Sequence, residues 1–391
     1  MKFRIQHLVL MSSLFLFACS TMSSDYSVSG TNNASMDQQQ GATGANKNNA
    51  EPISSELLYS LLVAEIALKR GDLDVAVVNY MQAARDTHDV EVVRRATRIA
   101  EFSQSNEQAL EGAKLWANID PKSREARQAL VVMLLNTGQL DEATVQLSIL
   151  IENAGEEQGP ALMQLVAQLS RERDQESALK LMEMSAAKES DNPYVYFANA
   201  HLNMRFNRFT PAISSVDQAL RLKSGWLEAI ALRARILQLE HKTQEAISYY
   251  EQEIKKGEAD VISLRISFAR LLMDVREQDR ALEQYVILSK LQPENNDLAY
   301  AAGLLSLQAA KVDEAEKYFV RLRSSKERVI EANYYLGQVE ESRDNVDKAI
   351  GWYSKVTHGE LYIDAQTRTA ALISKQGLHE KAIQKVRSIK A

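Results

Sequence analysis

Ten alanines recur along this chain at nearly one interval: Ala76, Ala109, Ala143, Ala178, Ala212, Ala246, Ala281, Ala315, Ala349 and Ala382, spaced 33 to 35 residues apart. Self-similarity at that period is the mark of a solenoid of stacked helix pairs, each burying its apolar face only against its neighbours. The spacing predicts an all-α array of about ten units. It also places function on an extended surface rather than in a pocket. A long coiled coil would repeat its apolar residues about every 3.5 positions without regular breaks. Here the breaks fall once per helix length.

The alanine is one fixed point among several. Twelve residues before it there is usually another small residue: Ala64, Val131, Ala200, Ala234, Ala269, Gly303, Gly337 and Ala370. Four residues after it there is often an aromatic: Tyr80, Tyr250, Tyr285, Phe319 and Tyr353. Five before it comes a turn residue: Gly71, Gly138, Asn207, Asp344 and Gly377. Pro121 and Pro293 close two of the units, and a new helix is expected just beyond each. The physical reason is packing. Two antiparallel helices approach closely only where one offers a small side chain, and an aromatic of the second fills the space beside it. Glycine between them supplies a C-cap conformation that side chains resist.

This pattern resembles the tetratricopeptide repeat, with a small residue at unit position 8, Ala at 20, an aromatic at 24 and Pro at 32. The resemblance covers residues 57–391, with units starting near 57, 90, 124, 159, 193, 227, 262, 296, 330 and 363. Units 193–226, 262–295, 296–329 and 330–363 match well. The units at 90 and 159 match poorly, because Thr97 and Val166 replace the small residue and Ala113 and Met182 the aromatic. The resemblance implies a right-handed superhelical solenoid over 53–391.

The chain starts MKFRIQHLVLMSSLFLFACS. Lys2 and Arg4 form a positive n-region, and the apolar stretch from Leu8 to Phe17 is too short to span a bilayer. Residues 1–18 are expected to be a signal peptide ending in a bacterial lipobox, Leu16-Phe17-Ala18-Cys19. Cys19 is the only cysteine, so no intrachain disulfide can form, and it is the expected lipid-attachment residue. The alternative is an ordinary secretory peptide with a stray cysteine. Several acyl chains would anchor the protein stably, where one would not. Ser20 rather than Asp after the cysteine points to the periplasmic face of the outer membrane.

Residues 19–52 are rich in Ser, Thr, Asn, Gln and Gly, and they read as a polar tether. A flexible chain of that length has a root-mean-square span of roughly 30 Å. Ser54 or Ser55 is expected to cap the first helix. That helix is apolar nearly all round, through Leu57, Leu58, Leu61, Leu62, Val63, Ile66 and Leu68. Either a neighbouring element covers it or it is a docking surface. At the other end, Lys375 to Lys390 carries four lysines, one arginine and one glutamate. It is expected to cap the array itself, the alternative being a second chain docked there.

The formal net charge is −6, and removal of Lys2 and Arg4 with the leader leaves about −8. That disfavours nucleic-acid and anionic-membrane binding, which need a basic face. No catalytic constellation stands out. The histidines, His7, His88, His201, His241, His358 and His379, have no metal-ligand spacing, and there is no nucleophile elbow or phosphate loop. Neither enzyme activity nor a metal or cofactor is expected.

What remains is the groove that the first helix of each tetratricopeptide pair lines. Carried onto this sequence, the family's groove positions select Arg94, Arg95, Arg98 and Phe102 in one unit. They select Tyr194, Phe197, His201, Met204 and Arg205 in another. Arg235, Arg270, Tyr300, Leu304, Tyr334 and Tyr335 follow. Aromatic and Arg side chains supply the contact area and directional hydrogen bonds that protein binding uses. Trp116, Trp226 and Trp352 fall at packing or boundary positions and are expected to be structural. Tyr334 and Tyr335 form the one aromatic cluster suited to a glycan.

Residues 56–121, behind a lipobox and a tether, resemble the start of a group of proteobacterial outer-membrane tetratricopeptide lipoproteins. At least one member is the adaptor of a periplasmic carboxy-terminal processing protease and brings it to peptidoglycan hydrolases. The resemblance implies a membrane-anchored, non-enzymatic adaptor with those periplasmic partners. Assembly of a pilus secretin or an outer-membrane protein insertase, and peptidoglycan binding, are the alternative roles.

Overall fold

The computed structural model describes residues 54–389. The expected signal peptide, Cys19 and the tether lie outside the described residues. The described residues are all-α, and they form ten consecutive helix pairs. The first five are α1 (Ser55–Arg70) with α2 (Leu73–Thr87), α3 (Val90–Phe102) with α4 (Asn106–Ile119), α5 (Arg124–Asn136) with α6 (Leu140–Ala154), α7 (Gln158–Leu169) with α8 (Gln175–Lys188), and α9 (Pro193–Arg205) with α10 (Phe209–Leu222). Next come α11 (Leu227–Leu239) with α12 (Thr243–Lys256), α13 (Val261–Asp274) with α14 (Gln278–Leu291), and α15 (Asn296–Gln308) with α16 (Val312–Ser324). The last two are α17 (Val329–Ser342) with α18 (Val346–Tyr353) and α19 (Tyr362–Lys375) with α20 (His379–Arg387). Apart from α7 and α8, each helix packs on its neighbours in the chain, the arrangement of a tetratricopeptide-like solenoid.

Local chemistry sets the helix ends. Ser54 is the N-cap of α1, its hydroxyl accepting from the Leu57 amide at 3.1 Å. Asp89, Ser123, Asn192, Asp260 and Asn295 cap later first helices in the same way. Pro121 precedes α5, and its carbonyl accepts from Arg127 and Asn153, both at 3.1 Å. All five residues singled out as turns have left-handed backbones: Gly71, Gly138, Asn207, Asp344 and Gly377. Gln104, His241, Arg276 and Ala310 occupy the same unit position and adopt the same conformation. Packing of the two helices therefore imposes this turn even where the residue type resists it.

The recurring alanines sit where the helices meet. Ala76 through Ala349 are fully buried, and Ala382 is nearly so. A Cβ built on Gly303 would lie 2.9 Å from the Phe319 ring, and one on Gly337 would lie 2.5 Å from the Tyr353 ring. The small residue and the aromatic thus fit against each other within one pair.

The two units with poor sequence matches behave differently. In the α3–α4 pair, Thr97 occupies the small-residue position, and Gly112 on the facing helix compensates. A Cβ on Gly112 would stand 2.6 Å from the Thr97 hydroxyl oxygen. In the α7–α8 pair nothing compensates for Val166 and Met182, both of which are buried. There the two helices lack the close backbone approach of the other pairs; α8 lies against α6 and α9, and α7 against α9.

Candidate protein-binding groove

At the start of the array, α1 and α3 flank a cleft of about 550 Å³. Its apolar lining is Leu61, Leu68, Val92 and Ile99, with Tyr80 from α2. Arg94, Arg95 and Arg98 line it together, as the groove projection expected. Leu58 and Leu62 are more than half exposed and extend the apolar stripe along α1, at helical spacing from Leu61 and Glu65.

The arginines are held by acids. Glu65 accepts from Arg95 at 2.5 Å and from the Tyr80 hydroxyl. Burial, then the hydrogen bond to Glu65, pushes the Tyr80 phenol up to about 12. Arg95 also stands 5.4 Å from the Tyr80 ring centre, within cation–π range. Arg94 pairs with Glu91, and Arg98 with Glu125 of the next unit. Because these pairs are substantially exposed, they contribute little to stability, and a partner's carboxylates can compete for them. Phe102 is 75% exposed at the end of α3, outside the cleft lining.

The middle group is only partly available. Phe197 is buried, which corrects its placement as a contact residue: it packs on Trp226 at 4.5 Å and edge-on to His201 at 4.6 Å. Burial, reinforced by the charge of Arg205, lowers the His201 pKa to about 4, so the imidazole is neutral at pH 7. Tyr194 packs edge-on to Trp226 at 5.1 Å, and Lys223 stands over both rings and donates to the Tyr194 hydroxyl at 3.1 Å. Trp226 is therefore part of the packing between pairs. Met204 is half-buried against the same core, while Arg205, Arg235 and Arg270 are exposed.

Toward α19 the groove residues are occupied by one another. Tyr334 is buried, a second correction; its hydroxyl donates to Asp364 and accepts from Gln338 at 2.9 Å. Arg368 clamps Asp364 at 2.7 Å and Glu341 at 3.2 Å, and the Tyr353 hydroxyl donates to Glu341 at 2.6 Å. Tyr335 stacks on Phe319 at 5.0 Å, its phenol held above the usual range by burial and by the Tyr300 hydroxyl 3.3 Å away. Arg328 covers Tyr300 at 4.7 Å, and Leu304 packs into the same core. The Tyr334–Tyr335 pair is thus a packed, hydrogen-bonded unit and presents no open aromatic platform.

One feature escaped the sequence reading. A second cleft, of about 560 Å³, lies among α10, α11 and α12, lined by Asp217, Arg233, Tyr249, Glu253 and Lys256. Arg233 donates to Asp217 at 2.6 Å and stands 4.4 Å from the Tyr249 ring centre. Glu253 is buried and pairs with Lys256 at 2.7 Å. A signal was present. Arg233 takes the unit position held by Ala96, Leu130, Phe268 and Leu336, and Glu253 the position held by Ala83, Leu150, Ala219 and Leu322. Charge at a register position that other units fill with uncharged residues marks a polar site between helices.

Comparison with known proteins places part of this array. A family model described as the tetratricopeptide repeat matches residues 266–327 and 300–360. The tetratricopeptide-repeat-containing protein PA4667 of Pseudomonas aeruginosa is 28% identical over 336 residues, covering 85% of this chain and 56% of that protein. The chain therefore spans little more than half the length of that relative. Among solved structures, YrrB, described as a tetratricopeptide-repeat protein with an unusual peptide-binding site, is 18% identical, with a TM-score of 0.36. The match covers 50% of this chain and 98% of YrrB. Yeast Tom70 is 14% identical over 84% of this chain and 85% of its own, with a TM-score of 0.30. Neither likeness is close enough to transfer a site. Tetratricopeptide arrays serve as scaffolds for protein–protein contacts. The chain carries tetratricopeptide repeats over 266–360, within an unbroken run of helix pairs from Ser55 to Arg387.

Proposed function

We propose that this protein is a membrane-anchored adaptor that docks periplasmic proteins on the α1–α3 cleft and raises their effective concentration near one another. The observation that carries the reading is the contrast along the groove. The α1–α3 end offers an open apolar floor walled by three arginines, whereas the Tyr300–Arg368 end is closed by its own hydrogen bonds. The cleft suits a partner segment with apolar and acidic side chains. Likeness of residues 56–121 to protease-adaptor lipoproteins makes a carboxy-terminal processing protease the leading partner, with cell-wall hydrolases as the proteins presented to it.

Affinity purification from envelope extract, followed by mass spectrometry, tests the assignment. Recovery of that protease with hydrolases is the expected result, and recovery of a secretin or insertase component instead would move the role to assembly. Reversing charge at Arg94 and Arg98 (both to Glu) should lower partner affinity about tenfold or more, the equivalent of about 1.4 kcal/mol. Equal capture by this variant would remove the cleft from the binding surface.

Anchoring rests on Cys19, by the lipobox argument. Cys19→Ala should shift the protein out of the outer-membrane fraction with its helical circular dichroism unchanged. An unaltered fractionation profile would refute the lipid anchor.

A further inference from the structure

Unit register shows which side chains face a preceding helix pair. Met133, Leu202, Ile236 and Val339 hold one unit position and are buried, each in a pair that follows another pair. Ile66 holds the same position in α1 and is 50% exposed. The second helices show the same relation. Ion pairs Lys114–Glu142 and Arg280–Glu251 join one second helix to the next across adjacent pairs. Val75 takes the position of Glu142 and Arg280, so in α2 that contact point is apolar and exposed. Tyr59 and Val78 lie beside these residues and are more than 60% exposed. No helix precedes α1 among the described residues. A terminal face built for water would be polar.

The opposite face shows the complementary gap. Val77, Leu179, Ile247 and Leu282 share the unit position of Ile383, and all are buried, each in a pair that another pair follows. Tyr80, Leu147, Val216 and Phe319 share the position of Val386 and are also buried. On α20, Ile383 is 45% exposed and Val386 is 54% exposed. Among the described residues the expected self-capping is therefore incomplete, because Lys375, Lys381 and Lys385 leave Ile383 and Val386 exposed.

We propose that this chain associates head to tail, the exposed face of α20 in one copy seating on the exposed face of α1 and α2 in the next. The junction would repeat the packing that already joins every pair inside the chain, so the occupant of each open face is the face the register lacks. Lys381, Lys385 and Arg387 on α20 outnumber Glu380, while the opposite face is mixed, with Glu56, Asp72 and Asp74 set against Lys69 and Arg70, so the apolar positions rather than net charge select the pairing. A heterologous contact of this kind does not close at a dimer.

Sedimentation velocity on the full chain, over a rising concentration series, tests the proposal. The weight-average mass should climb past that of a dimer. Ile66→Lys and Ile383→Lys should each leave a monomer, because every contact needs one face of each kind. An equimolar mixture of the two variants retains one good face of each kind and should form a heterodimer and nothing larger. Both positions are exposed, so circular dichroism should match the parent chain. A parent chain that stays monomeric at every concentration would overturn the proposal. So would an Ile383→Lys variant that still self-associates, which would mean that like faces pair.

Discussion

Gly225→Ala should destabilise the array by about 3 kcal/mol, the sum of left-handed backbone strain and overpacking. Gly225 lies in the loop between α10 and α11 at φ 66°. A Cβ there would run into the carbonyl oxygen of Glu258 and lie 2.8 Å from its carbonyl carbon. Glu258 belongs to the loop between α12 and α13, so two successive inter-pair loops touch at this point. Neither atom is the flexible end of a side chain, so the backbone itself must move. Chemical denaturation followed by circular dichroism measures the loss, and an unchanged midpoint would show that the loops do not meet as described.

The second prediction pairs two helical glycines whose surroundings differ. Gly337→Ala gains about 1 kcal/mol of helix propensity but should lose about 1–3 kcal/mol to overpacking. Its new Cβ would press on the Tyr353 ring, which is fully buried, is hydrogen-bonded to Glu341 and cannot swing aside. Gly351→Ala meets nothing within 4 Å and is exposed on α18, so it should keep the propensity gain and stabilise. The two variants should therefore move the melting temperature in opposite directions. If both stabilise, Gly337 is not at the helix contact.

The differing exposure of the groove residues has a mechanical consequence. A peptide or helix entering at α1 meets side chains already in contact with water and charges already weakly paired. Near α17 it would first have to break the Tyr334–Asp364–Arg368 cluster and leave buried polar groups without partners. That asymmetry, rather than residue composition, singles out one end of the groove.

The repeating architecture was legible in sequence because its determinants are local and periodic. An alanine every 33 to 35 residues, a Gly, Asn or Asp five before it in half of the units and a capping side chain before six of the first helices act within one pair. They need no knowledge of more distant parts of the chain. The groove was legible in part. Arg94, Arg95 and Arg98 converge on one cleft because they share one helix face, which follows from helical spacing alone.

Tertiary structure decided what depends on neighbours from other pairs. Phe197 and Tyr334 hold groove positions, yet Trp226 and Asp364, contributed by adjoining elements, draw them into the packing. Thr97 is tolerated because Gly112 faces it, whereas Val166 has no such partner and its two helices stand apart. Periodicity assigns a side chain to a face of its own helix. Whether that face is covered, and by what, depends on side-chain volumes and hydrogen-bond partners that meet only when the pairs stack.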